Sequence, residues 1–383
     1  MRRQGFTLVE MLVSLALVLF IMVILSQAFS TGLEVFRQLK GVGEMEERLR
    51  MASTVLRHDL KLDHFEGKRR LSDPGFWTQG PPREGFFHIR QLDPSTRDGL
   101  PDGDGIQSFR ATTHSLHFSI KLRGSQREDF LSAKVLAPVS PLFSLETTFF
   151  NFSPDSRYQD PGTYNSQWAE VVYFLYPTNA STPNSVSLSA LYRRQRLAVP
   201  NNLKANWDPS QQIKVISPND LNLKLNHDYG SISCGKADPN KGYPDVLYFN
   251  NPTDLTVPER RFASSLPLRD PKTDDPQNNQ TGADLLLTDV ASFTVRVLSP
   301  DLNPKDFSDL PRLSFPGQPL PVGVFDTWTT VHDDVYTYEG KPAPSGISAT
   351  FPNGIRIVAL EITLRVWDVK TQQTRQVTII QDM

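Results

Sequence analysis

Between Phe6 and Leu33 the chain carries a single charged side chain, Glu10, in the run FTLVEMLVSLALVLFIMVILSQAFSTGL. As a helix, Phe6 to Phe29 is about 36 Å long, enough to cross a hydrocarbon core of about 30 Å. A helix that is apolar all round does not suit the surface of a water-soluble domain. A lone carboxylate in such a run costs about 2.5–3.5 kcal/mol by insertion scales. Glu10 therefore needs a partner and marks a functional position. Arg2 and Arg3 precede the run, and the positive-inside rule puts that end in the cytoplasm. The run is too long for a cleaved secretory signal and lacks a small-x-small site before a mature start. A plain signal anchor accounts for the arginines and the length but leaves Glu10 unexplained.

The stretch RRQGFTLVEMLVSLALVLF resembles the leader and helix start of type IV pilins and type II secretion pseudopilins. The resemblance implies cleavage by a membrane aspartyl prepilin peptidase between Gly5 and Phe6, with N-methylation of Phe6. The new α-amino group on Phe6 is cationic at neutral pH. In a filament, the Glu10 carboxylate of one subunit is expected to neutralise the Phe6 ammonium of its neighbour. Two charges costly in lipid then satisfy one another only in the assembled register.

Beyond the apolar run a helical pattern continues. Leu33, Phe36, Leu39, Val42, Met45, Leu49, Ala52, Leu56 and Leu60 recur at steps of three or four, with charged residues on the opposite face. Glu44 to Arg48 and Glu46 to Arg50 are i,i+4 pairs in the favoured orientation. Gly41 and Gly43 each weaken a helix by roughly 1 kcal/mol relative to alanine and suggest a bend or a meltable turn. LRHDLKL (56–62) is expected to end the helix, ahead of the turn-rich KRRLSDPG. Strands are expected over 86–91, 115–123, 169–176, 188–195, 284–298 and 355–368, and QVTII (376–380) returns as a terminal hairpin. Polar, proline-rich stretches, 267–284 and Ser299 to Gly354, read as long loops. The fold class is α+β: a long N-terminal helix packed on a β-rich head of antiparallel sheets. Its divisions are a leader at 1–5, a membrane-spanning and filament-core helix at 6–30, its amphipathic continuation at 31–64, and a head at 65–383.

The strand order AEVVYFLY, LSALYRRQ, LLLTDVASFTVRVL and RIVALEITLRVWD, with Leu191-Tyr192-Arg193 as the closest local match, is similar to J-type minor pseudopilins and W-type minor pilins. That likeness implies a minor subunit that primes assembly at a filament tip. Its partners are prepilin peptidase, other major and minor (pseudo)pilins and an inner-membrane assembly platform. The protein then sits in the inner membrane as a single-pass chain, with its head periplasmic. Two other readings stay open: an extracytoplasmic enzyme or binding protein on an uncleaved anchor, and a pilin-like adhesin using its loops.

Other chemistry is sparse. The formal net charge is −2, with 40 basic and 42 acidic side chains, so bulk charge points to no nucleic-acid partner. Cys234 is the single cysteine, which excludes an internal disulfide and a structural zinc site built on cysteines. Asp98, Asp102 and Asp104 stand among glycines in DPSTRDGLPDGDGIQ, a lesser candidate for calcium. The full D-x-D-x-D-G spacing and closing glutamate are missing, so a solvated turn is the default. His114 and His117 are three apart on a strand and point to opposite faces. Glu170 and Asp245 lie beside strands with nothing to pair them as acid and base. Tyr173, Tyr176, Phe249, Trp328 and Trp367 read as core or interface aromatics. G-x-S-x-G, P-loop and H-E-x-x-H patterns are absent, and no catalytic site or cofactor is expected.

Overall fold

The computed structural model describes residues 7–79, 81–91, 111–135, 162–181, 187–199, 214–216, 231–236, 247–261, 283–313, 322–327, 337–338, 341–342, 355–368 and 372–383. Helix α1 (Leu8–Lys61) has 54 residues and is therefore about 81 Å long. From Leu8 to Lys40 every residue is exposed. Gly41, Met45, Leu49, Ala52, Leu56 and Leu60 are then buried at steps of four and three, the spacing of one helix face. The helix runs unbroken through Gly41 and Gly43, so neither the bend nor the meltable turn occurs. It stops at Lys61, with Leu62 in an extended conformation, as LRHDLKL predicts.

The buried face lies on a ten-stranded antiparallel sheet. Its strands are β1 (Phe87–Gln91), β2 (His114–Lys121), β3 (Trp168–Ser181), β4 (Ser187–Leu197), β5 (Ala283–Ser299), β6 (Asn303–Ser308), β7 (Arg312–Leu313), β8 (Val322–Asp326), β9 (Ala359–Asp368) and β10 (Gln373–Asp382). The spatial order is β7-β8-β1-β2-β3-β4-β5-β9-β10, with β6 also paired to β5. Register places apolar residues opposite one another across the core face: Phe87 with Phe118, Leu116 with Tyr173, and Phe118 with Val171. Further along, Phe293 meets Leu364 and Val295 meets Ile362. These side chains and the α1 stripe form one buried core. Burying a leucine or phenylalanine contributes about 1.5–3 kcal/mol, so the core, not the helix's own propensity, holds the lower half of α1 in place.

β5 bends the sheet. Its first part, Ala283 to Val290, pairs with β4, and its second, from Val290 to Leu298, pairs with β9. The register shifts between Leu285 and Leu287, between Leu287 and Val290, and again before Ser292. Asp289 sits inside this bulge at φ 58°, the left-handed region that aspartate tolerates better than most side chains.

The seven strands expected from sequence are all present. The reading of Ser299 to Gly354 as polar loop is corrected, because it contains β6, β7 and β8. β6 has the sequence NPKDFS, whose proline, lysine and aspartate hide its strand character. It forms as the return of a tight hairpin on the end of β5. Trp328, Asp245, Asp98, Asp102, Asp104 and residues 267–282 lie outside the described residues.

Four histidines are enclosed by this packing: His64, His88, His114 and His117. His64 Nδ1 lies 2.8 Å from the Ser119 carbonyl, and the amide of Val295 donates to His114 Nδ1 at 3.0 Å. Burial lowers the pKa of all four, for His114 to about 4. The folded head thus holds them neutral, whereas an unfolded histidine titrates near 6.5. Their stabilising contribution is complete above that pH and is lost as pH falls through 6.5 toward the folded values. Urea unfolding of the full chain in detergent is expected to show a midpoint that drops steadily from pH 7 to pH 4. A midpoint that is flat over this interval contradicts the burial argument.

Candidate assembly site

The start of α1 is a capping box. The Thr7 side chain accepts from the Glu10 amide at 3.3 Å, and the Thr7 amide donates back to Glu10 Oε2 at 2.9 Å. The Thr7 hydroxyl also donates to Oε2, at 2.9 Å. One carboxylate oxygen thus satisfies two donors at the helix N-terminus, where a negative charge also meets the positive end of the helix dipole. Thr7 has no functional role in the sequence reading, although T-x-x-E before an apolar run is the spacing of a capping box. Glu10 itself is on the exposed surface of the helix. Gly5 and Phe6 lie outside the described residues, so the expected cleavage point and its ammonium are not placed.

The other end of the helix carries a polar cluster that the sequence reading missed. Asp59 lies on the buried face of α1, only 2% exposed, between Leu56 and Leu60. Arg193 of β4 reaches it with Nε at 2.6 Å and Nη2 at 3.2 Å. The Tyr173 hydroxyl of β3 donates to Asp59 Oδ2 at 2.5 Å. Tyr173 and Arg193 are directly opposed across the β3–β4 ladder, which is why both reach one carboxylate. Arg193 Nη2 also donates to Gln195 Oε1 at 2.6 Å, and Nη1 lies 3.5 Å from Asp284 Oδ2. Burial, joined by the Asp59 charge, pushes the Tyr173 phenol well above its usual range, so it remains a donor. Burial opposes the Arg193 charge, but the hydrogen bond and charge of Asp59 outweigh it and raise the guanidinium further. One signal for this cluster was available: Asp59 is a charge on the apolar stripe, three residues after Leu56.

A second link ties the helix to the bulge in β5. Arg48 Nη2 donates to the Thr288 hydroxyl, and lies 3.4 Å from the Thr288 carbonyl. On the opposite face of the sheet, Glu170 is fully buried within β3, and Asp245, named beside it in the sequence, lies outside the described residues. His117 Nε2 lies 2.7 Å from Glu170 Oε1, and the Ser233 hydroxyl donates to Oε2 at 2.6 Å. Asn250 Nδ2 donates to Ser233 Oγ at 2.9 Å. The serine donates to one carboxylate oxygen and the imidazole lies against the other, so Glu170 bridges the two side chains. His114 and His117 do lie on opposite faces of β2, as their spacing predicts, since one contacts Val295 and the other Glu170. Cys234 is buried, and burial pushes its thiol up to about 12. Among the described residues no group of three or more His, Cys, Asp or Glu side chains is placed to hold a metal.

Removing Asp59 leaves Arg193 with its main counter-charge gone and Tyr173 without its acceptor. Asp59→Ala is expected to cost about 3–5 kcal/mol in denaturant unfolding, the magnitude for breaking one side of a buried pair. Tyr173→Phe is expected to cost about 1.5–3 kcal/mol, the range for a hydrogen bond to a charged group. A loss below 1 kcal/mol for Asp59→Ala would show that the cluster does not hold the helix to the head.

Residues 1–26 match the family model described as the prokaryotic N-terminal methylation motif. No curated protein and no solved structure matches the chain. The likeness of the head to J-type and W-type proteins therefore rests on strand order and Leu191-Tyr192-Arg193 alone. α1 is long and apolar enough to cross a membrane, with none of its most apolar stretch buried in the molecule. The methylation motif, carried at the head of one exposed apolar helix, supports a type IV pilin-like protein that is processed at its N-terminus and anchored by a single membrane pass.

Proposed function

We propose that the protein is a minor (pseudo)pilin, cut between Gly5 and Phe6 and methylated on Phe6, that takes part in assembling a type II secretion pseudopilus or type IV pilus at its tip. The observation that carries this reading is the coincidence of two features. The GFTLVE sequence at residues 5–10 meets a helix start whose carboxylate is exposed on an otherwise apolar surface. In a bilayer that carboxylate is costly alone and is relieved by the Phe6 ammonium of a neighbouring subunit. The leader, at 1–5, is removed; 6–30 lies in the membrane or filament core; and 31–64 carries the 65–383 head on the periplasmic side. The methylation motif implies handling by prepilin peptidase and assembly with other pilins. A large head favours a minor place, because it crowds a repeating shaft and fits at an end. The role is one of packing and charge pairing and needs no catalytic group.

Intact mass measurement of the protein from its host membranes tests the processing. A chain starting at Phe6 with one added methyl group is expected, and a retained Arg2–Gly5 leader would favour the plain anchor. Glu10 is tested by two substitutions. Glu10→Gln keeps the capping-box hydrogen bonds and removes the charge, whereas Glu10→Ala removes both. Both are expected to insert normally and to be lost from the filament fraction to the same extent. Wild-type recovery of Glu10→Gln in that fraction would show that the charge is not what assembly uses.

A further inference from the structure

An open sheet has edges, and an edge strand offers a row of unpaired backbone N–H and C=O groups to any extended chain. This chain protects two of its edges. β7 is two residues long and begins with Arg312, and β6 carries Pro304, Lys305 and Asp306. Shortness, proline and charge all discourage pairing. β10 lies at the other end of the strand order and has none of these devices at its centre. It pairs with β9 over its full length of ten residues with no register shift. Its sequence, QTRQVTIIQD, contains no proline, lysine or glycine. Between 376 and 381 it is uncharged, and four of those six residues are β-branched, the side chains that favour strands. Among the described residues, β9 is its one strand neighbour.

The two faces of β10 differ. Val377 and Ile379 turn toward the core shared with α1, and Ile379 is fully buried. Gln376, Thr378 and Ile380 turn to the opposite face and are exposed, Ile380 by 53%. Arg375 and Asp382 stand near the two ends, both exposed and without an ion pair among the described residues. An extended segment laid along this edge pairs best antiparallel to β10, the more stable orientation per residue. Its first residue then lies beside Asp382 and its last beside Arg375. The edge therefore favours a segment that is basic at its start and acidic at its end, with apolar residues opposite Val377, Ile379 and Ile380. Opposite Thr378 and Gln376 a polar side chain faces water.

A second copy of the chain does not meet these terms. Two β10 edges pair antiparallel only about a two-fold axis normal to the sheet, which reverses every direction lying in the sheet plane. α1 lies on that sheet, so the two helices would point in opposite directions, whereas single-pass anchors of identical chains in one membrane point the same way. Parallel pairing in register sets Arg375 beside Arg375 and Asp382 beside Asp382, and like charges directly opposite are destabilising. We propose that the free edge of β10 is the docking site for an extended segment of a different protein, about eight residues long, which joins the sheet as a further strand antiparallel to β10. The segment is basic at its first residue, rich in valine, isoleucine and threonine at its centre, and acidic at its last. The inference concerns the head and does not depend on leader cleavage or on Glu10.

The test uses the full chain in detergent and a fluorescent peptide of sequence Lys-Gln-Val-Val-Thr-Val-Gln-Glu, whose residues fall in order opposite 382 back to 375. Binding is read by anisotropy, and its place by hydrogen exchange of the protein. The peptide is expected to bind and to slow exchange at 375–382. The same peptide with its two charged ends exchanged is expected to bind several-fold more weakly. Replacing its adjacent central valine and threonine by proline removes an inward-facing backbone donor in either setting of the strand and is expected to abolish binding. The double variant Arg375→Glu and Asp382→Arg, both at exposed positions, is expected to reverse the preference between the two charged peptides. Absence of binding, equal binding of the proline peptide, or protection away from β10 would overturn the docking site. A preference for the exchanged ends in the parent chain, or an unchanged preference in the double variant, would overturn the antiparallel charge pairing. Exchange at 375–382 that slows with protein concentration alone would assign the edge to a second copy and overturn the proposal.

Discussion

Asp59 is the constraint through which the helix and the sheet become one body. It is a carboxylate facing inward on the apolar side of α1, tolerable there because Arg193 and Tyr173 converge on it from adjacent strands. Hydrophobic contact between α1 and the sheet is non-directional and would permit the helix to slide or rotate by a turn. A buried carboxylate with a guanidinium and a phenol fixed on it permits one placement, since a slip of one residue would leave charge buried without a partner. Arg48 at the Thr288 bulge adds a second fixed point about two helical turns from Gly41, the first buried residue of the stripe. Together they set both the height and the rotation of the head on its helix.

That rotation matters for the exposed side. Once Asp59 faces the sheet, Lys40, Glu47 and Thr54 face away from it into solvent. A head docked one residue out of phase would turn these side chains by about 100° toward the sheet. The inner polar cluster and the outer charge pattern are thus coupled by nothing more than the geometry of a single helix.

Much of this was legible in the sequence. The apolar run with its one carboxylate, the three-and-four stripe and the alternation in ITLRVWD announce a helix on an antiparallel sheet, and all seven strands expected from alternation are there. What escaped did so for physical reasons. Short strands such as NPKDFS hold together through their neighbours, not through their own composition. Glu170 looks unremarkable in AEVVYFLY because its partners, His117 and Ser233, are 53 and 63 residues away. The glycines at 41 and 43 look like weak points by propensity, but burial on one side of the helix and continuous backbone bonding override it. The leader's role is visible only by resemblance and by the methylation motif, since no arrangement of side chains within one chain reveals what a neighbour supplies.

One consequence follows from where burial begins. The apolar run ends near Phe29 and the first buried residue of α1 is Gly41, with every residue between them exposed. The eleven residues of bare helix between them, 30–40, correspond to about 16 Å. The head is thereby held on a stiff stalk, clear of the apolar segment by more than the thickness of a lipid headgroup layer.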